Sequence, residues 1–207
     1  MATRKVLHVF GLALPLLAAA PAMAEPVALR MPDVRQMAED GAGAAVLQAV
    51  LAYHGLDVRQ DVLYQRLTAR GGSAMDYKQV VRVAVEYGLR VSHLIKMSEQ
   101  QLREHIDRRV PVIVAVQAWV EGAPPRAITD WARWRDDGHY LVAVGYDDMA
   151  FYFEDPAMFG IGSIRRDQMP FRWHDYDKQG NRLEHLGIMI DGPSPGRYDP
   201  TKPVPIN

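Results

Sequence analysis

The segment Ala42–Tyr53, "AGAAVLQAVLAY", is apolar at every position except Gln48. A helix that is apolar around its whole circumference cannot lie on a surface and must be enclosed by other elements. The rest of the chain therefore has to supply walls on all sides of it. Asp40 and Gly41 suit the start of such a helix, and Gly55 suits its C-terminal cap. Arg59–Ala69 and Met75–Tyr87 read as two further helices. The second gathers Val80, Val81, Val83, Ala84 and Tyr87 on one face. Gly71-Gly72-Ser73 separates the two, and Gly88 ends the second.

Beyond Gly88 the pattern changes. Leu89–Ile95 alternates as a strand does. Ser98–Arg108 opens with a capping-box-like Ser98 and Gln101 and reads as a helix. Val110–Trp119 is rich in β-branched residues and reads as a central strand. After a polar, proline-bearing loop, Glu121–Gly138, the runs "HYLVAVGYDD" and "AFYFEDP" meet at Asp147-Asp148-Met149 as a hairpin. Ile161–Ile164 reads as a strand, Arg166–His174 as a short helix limited by Pro170, and Leu186–Ile190 as a last strand. Helices come first and strands later, which indicates an α+β fold with an antiparallel sheet.

The ends of the chain differ from its middle. Residues 1–24 carry Arg4 and Lys5, then an apolar run from Val6, then the small-x-small site Ala22-Met23-Ala24. That is the form of a secretory signal peptide. We expect cleavage before Glu25, export to the periplasm and no stable membrane insertion afterwards. One domain is expected over 25–191, followed by a proline-rich tail, 192–207, expected to be disordered. With Arg4 and Lys5 set aside, 22 basic residues face 25 acidic ones, and no basic stripe suggests a nucleic-acid partner. The chain has no cysteine, so it forms no disulfide and can perform no thiol chemistry as written. No pattern in it indicates an oligomeric state.

Three separated positions share a chemistry. Gln36 lies six residues before the start of the apolar helix, His139 opens a strand in "DDGHYLVAVGYDD", and Asp155 ends the paired strand in "YFEDP". Cysteine peptidases of papain type need such parts. The nucleophile sits at a helix N-terminus, where the dipole and an imidazolium lower its pKa. A histidine moves the proton, a carboxylate or amide orients that histidine, and a glutamine donates to the developing oxyanion. The chain resembles the C39 peptidase family, the double-glycine leader peptidases and their exported stand-alone relatives. The likeness rests on "QMAEDGAGAAVLQAVLAYHG", Gly138-His139-Tyr140 and Asp155-Pro156, in order and in register, over roughly Pro32–Ile190. It implies a papain-like α+β fold with a helical N-terminal half packed on an antiparallel sheet. It also implies that His139, Asp155 and Gln36 hold the triad and oxyanion positions.

The nucleophile position is Ala42. A methyl group cannot attack a carbonyl, and the nearest serine in sequence is Ser73. Two readings follow. In the first the chain is a pseudopeptidase that binds an extended peptide or protein segment without cleaving it. In the second the active form is a C39-type peptidase with cysteine at position 42.

The loop before His139 holds Trp119, Trp131 and Trp134, with Arg133 and Arg135 beside the last. It is either an aromatic cluster that pins the loop or a lip that stacks on a peptide. On the second reading Trp131, Trp134 and Tyr140 contact substrate. His174 and His185, with Asp175 or Asp177, invite a metal reading, but their spacing matches no zinc motif, and "DYDKQGN" lacks the closing glutamate of a calcium loop. No metal and no cofactor are expected.

Overall fold

A computed structural model describes residues 29–118 and 128–192. The expected signal segment, Trp119 and all of the expected tail but Gly192 lie outside these residues. Helix α1 spans Ala42–Tyr53, as its apolar run predicts, and ten of its twelve residues are buried. Gln48, its polar exception, donates to the Val58 carbonyl and accepts from Gln60 Nε2 at 3.1 Å. Helix α2 (Gln60–Thr68) and helix α3 (Tyr77–Glu86) enclose α1 from one side. Val80, Val83 and Ala84 form the buried face of α3.

The sheet encloses the other side. Strands β1 (Arg90–Leu94), β2 (Val112–Gln117), β3 (Gly138–Tyr146), β4 (Ala150–Glu154) and β5 (Ile161–Arg165) follow in sequence, with helix α4 (Glu99–Asp107) between β1 and β2. A short helix α5 (Met169–Arg172) leads into a small two-stranded sheet, β6 (His174–Tyr176) with β7 (Arg182–Glu184), and β8 (Gly187–Asp191) closes the main sheet. The six-stranded order is β1-β8-β2-β3-β4-β5, antiparallel throughout. Both faces of this sheet are covered. Ile113, Ala115, Tyr140 and Val142 join the helical core around α1. Val114, Val116, Leu141, Phe151 and Phe153 join a second core with Leu102 and Ile106 of α4 and with Trp173. Central strands covered on both faces read as continuous apolar runs, which is how β2 and β3 look in the sequence. Among the described residues no helix is long and apolar enough to cross a membrane.

Two departures from the expected elements bear on the site. The segment Arg166–His174 is helical only over Met169–Arg172, and His174 starts β6 instead. The loop before His139 contains a 3-10 turn, Ile128–Arg133.

Candidate active site

The site lies where the start of α1, the start of β3 and the end of β4 converge. Ala42 is the first residue of α1 and is buried. Its neighbour Gly43 allows close approach. A Cβ there would lie 1.7 Å from the Ala74 carbonyl oxygen and 3.5 Å from the Tyr140 ring. Only a glycine lets α1 press this closely on the Ala74 backbone. The contact between Gly43 and Tyr140 also places Ala42 and His139 one residue away on either side of it.

His139 Nε2 lies 2.9 Å from Asp155 Oδ1, and both residues are buried, 7% and 4% exposed. Asp155 Oδ1 also accepts from the Ala157 amide at 2.8 Å, in the turn set by Pro156. The carboxylate is thereby aimed before it meets the imidazole. With Nε2 held by Asp155, the ring's other nitrogen, Nδ1, is the one left for proton transfer. The sequence places this pair 16 residues apart; the β3–β4 hairpin brings it together.

Gln36 is held by its backbone on two sides. On one, the Gln36 amide donates to the Pro156 carbonyl at 3.1 Å, the Val34 amide donates to Glu154 Oε1 at 2.9 Å, and Arg35 Nη1 donates to the Asp155 carbonyl at 2.9 Å. On the other, Gln60 brackets it: Nε2 donates to the Arg35 carbonyl and Oε1 accepts from the Met37 amide, both at 2.7 Å. The Gln36 side chain turns toward its own loop, with Nε2 donating to the Glu39 carbonyl at 3.2 Å. An amide nitrogen has two N–H groups, and this bond uses one of them.

The loop residues correct part of the sequence reading. Tyr140 does not line a cleft. It is fully buried in the helical core, with its hydroxyl donating to the Met75 carbonyl at 2.9 Å. Burial and the carboxylates nearby push its hydroxyl well above the ordinary range. The reason is alternation: successive residues of a strand face opposite sides. Trp131 is also buried, with the Arg172 guanidinium 4.3 Å above its ring. Arg172 in turn donates to the Gln117 carbonyl at 3.0 Å and to the Ala118 carbonyl. Trp134 is half-buried and its indole N–H donates to Asp137 Oδ2. Both indoles tie the loop down, which matches the pinning reading better than the lip. His174 and His185 do not converge either: His174 Nε2 meets the Trp134 carbonyl, and His185 Nε2 meets the Pro170 carbonyl.

Two residues packed around the site, Gln60 and Glu154, escape sequence reading, and Asp175 entered it only beside a metal reading. Gln60 was marked only by the single polar position of α1, which needed a partner. Glu154 is buried beside Asp155, and burial raises its carboxyl to about 7. Asp175 is buried against Gly138, and burial raises it to about 6. Among the described residues no cluster of side chains suits a metal ion.

Residues 28–181 match the sequence model described as the Peptidase_C39 like family. The chain belongs to that family. The solved structures agree on the fold. A double-glycine-motif protease from an AMS/PCAT transporter, solved with its leader peptide, is 20% identical over 82% of this chain and 96% of that one, with a TM-score of 0.55. A C39-like peptidase from Bacillus anthracis is 16% identical over 79% and 95%, with a TM-score of 0.58. The peptidase domain of Streptococcus ComA, a bifunctional transporter, is 18% identical over 77% and 96%, with a TM-score of 0.54. No curated protein matches the chain. The papain-like α+β architecture expected from the C39 resemblance is thus the observed one, with the helical half packed on an antiparallel sheet.

Proposed function

We propose that this C39-like chain is an exported pseudopeptidase that holds an extended peptide or protein segment without cutting it. The observation that carries the reading is the assembled His139–Asp155 pair beside a helix whose first residue is Ala42. The pair and the second N–H of Gln36 can hydrogen-bond a peptide carbonyl, while the methyl of Ala42 offers no attacking atom. A cavity of about 160 Å³ has Asp155 itself in its wall, with Leu141, Phe153 and Arg172, and another of about 240 Å³ lies between the Ser73–Lys78 segment and the β6–β7 hairpin, with Met75, Tyr77, Tyr176 and Leu183 in its walls. The mixed linings, apolar side chains beside charged ones such as Asp76, Lys178 and Arg172, suit alternate side chains of an extended peptide. The leader-peptide complex of the 20%-identical protease supports a peptide as the class of partner. The expected signal segment supports a periplasmic location, with no nucleic-acid partner.

The intact pair also favours a second reading, a peptidase whose active form has cysteine at 42. There the thiolate attacks the peptide carbonyl, a carbon–sulfur bond forms, and the imidazolium gives its proton to the departing amine.

Titrating the chain with extended peptides that carry small residues at the centre tests the first reading. Saturable binding in the micromolar range, lost in His139→Ala, is expected; the absence of saturable binding across the panel would sink it. The Ala42→Cys variant addresses the second reading. A thiol whose alkylation profile lies well below the ordinary cysteine value of about 8.5, and which returns there in His139→Ala, marks a site assembled for hydrolysis. An unperturbed thiol removes the peptidase reading.

A further inference from the structure

We propose that the cavity with Asp155 in its wall is a subsite for a carboxylate side chain of the held segment, anchored by the Arg172 guanidinium. This names a substrate class for the peptide-holding site and rests on that reading.

The cavity adjoins the His139–Asp155 pair. His139 and Leu141 project from the same face of β3. Leu141, Phe153 and Ile164, on three neighbouring strands, give the cavity of about 160 Å³ its apolar lining, and Asp155 and Arg172 give it charge. Gly162 of β5 keeps it open. A Cβ there would lie 3.3 Å from Met158 Sδ and 3.7 Å from Asp155 Oδ2, so a side chain at 162 would take up part of the space. What remains suits one side chain of moderate length, with methylenes against the apolar lining and a polar end.

The guanidinium is fixed in advance. Arg172 Nε donates to the Gln117 carbonyl at 3.0 Å, Nη2 donates to the Ala118 carbonyl, and the group lies 4.3 Å above the Trp131 ring. These partners are neutral. Among the described residues Nη1 makes no hydrogen bond and no carboxylate forms an ion pair with Arg172. Burial lowers its pKa and Asp155 raises it, and a guanidinium stays charged at neutral pH. Asp155 acts on it from beyond ion-pair distance, and Asp155 Oδ1 is already taken by His139 Nε2 and the Ala157 amide. A largely buried cation held only by carbonyls and a ring gains most from a carboxylate. Nη1 is the nitrogen that can donate to one, in a charge-assisted hydrogen bond. A glutamine side chain of the same shape would bring only a neutral oxygen, so the subsite separates Glu from Gln by charge.

Nitrogen-15 NMR of the full chain at neutral pH and low salt tests this with two single-residue probes, N-acetylglutamate N-methylamide and its glutamine isostere. The glutamate probe should shift the Arg172 Nε–H and the Gly162 and Ser163 amides saturably. The glutamine probe should bind about tenfold more weakly, the difference between a charged and a neutral acceptor. Equal responses to the two probes, or no saturable shift at these three signals, overturn the proposal. Arg172→Gln should abolish the difference between the probes, and a difference that survives also overturns it. If Arg172→Gln does not fold, the paired titration of the native chain decides alone. N-acetylalanine carries its carboxylate at the chain end. Binding as tight as that of the glutamate probe would assign the subsite to a peptide C-terminus and overturn the side-chain reading. The probes are single residues, so failure of extended peptides to bind leaves this result standing, and failure of the probes leaves peptide binding standing.

Discussion

Glu154 faces the consequences of burial with no cation directly on it. Its Oε1 accepts the Val34 amide, Asp33 and Asp155 raise its pKa, and Arg35 lowers it; burial dominates and lifts it from 4.5 to about 7. The sign of the linkage follows. Between about 4.5 and 7 the unfolded chain is ionised at this position while the folded chain keeps its proton. Folding then takes up a proton, so stability falls as pH rises through that window and levels off above it. Asp175 acts in the same direction between 3.8 and about 6. Comparing how denaturant midpoints change from pH 6 to pH 7.5 in the native chain and in Glu154→Gln isolates Glu154, because Asp175, half titrated at pH 6, and the lowered His105 and His174 contribute alike to both. The native chain should be less stable at pH 7.5, and Glu154→Gln should flatten the difference. An equal slope in the variant would place the proton elsewhere. Gln36, His139 and Asp155 could be picked out in the sequence because each stands beside a recognisable element boundary. Glu154, Gln60 and Asp175 could not, since their partners lie 120, 25 and 37 residues away in sequence: Val34, the Arg35 carbonyl and Gly138. Tyr140 misled for a different reason. A three-residue motif on a strand cannot send all its side chains to one cleft.

At the scale of elements, local chemistry was a good guide wherever an element carried its own signal. Helix α1 runs over the residues its apolar pattern predicts. Helix α4 has its capping box: the Ser98 side chain accepts from the Gln101 amide and the Gln101 side chain accepts from the Ser98 amide. Ser98→Ala should cost about 1 kcal/mol, which for a chain of this size lowers Tm by roughly 2–4 °C. Thermal unfolding followed by far-ultraviolet circular dichroism measures it, and an unchanged Tm would show that tertiary packing alone holds α4 in place. The β6–β7 hairpin had no such signal. Its strands are three residues each, too short for alternation to show. They exist because His174, Asp175 and Tyr176 pair with Glu184, Leu183 and Arg182. That hairpin carries Asp175 to Gly138 and forms a wall of the neighbouring cavity. The least legible element is therefore one that packs on the start of β3, at Gly138.

The molecule as a whole depends on where its last strand goes. The strands were readable one at a time, but their order was not, because β8 inserts between β1 and β2 and pairs with residues far back in the chain. Val91 opposes Ile190, and Ile113 opposes Ile188. Ile188 and Ile190 are fully buried in the core that surrounds α1, and His54 at the end of α1 meets the Ile190 carbonyl through Nε2 at 3.2 Å. Without β8 the edge strand β1 has no pairing partner in the sheet, β2 exposes a row of unpaired backbone groups, and the enclosure that an all-apolar helix requires is open on one side. The enclosure of the helical half therefore depends on the final strand. A chain ending at Leu186 should be insoluble or lack a cooperative transition. A chain ending at Gly192, the far side of the expected domain boundary, should unfold at the same temperature as the full chain. Cooperative unfolding of the Leu186-terminated chain would mean that α1 is sealed without β8, and that this inserted strand is an addition to the core and not a condition for it.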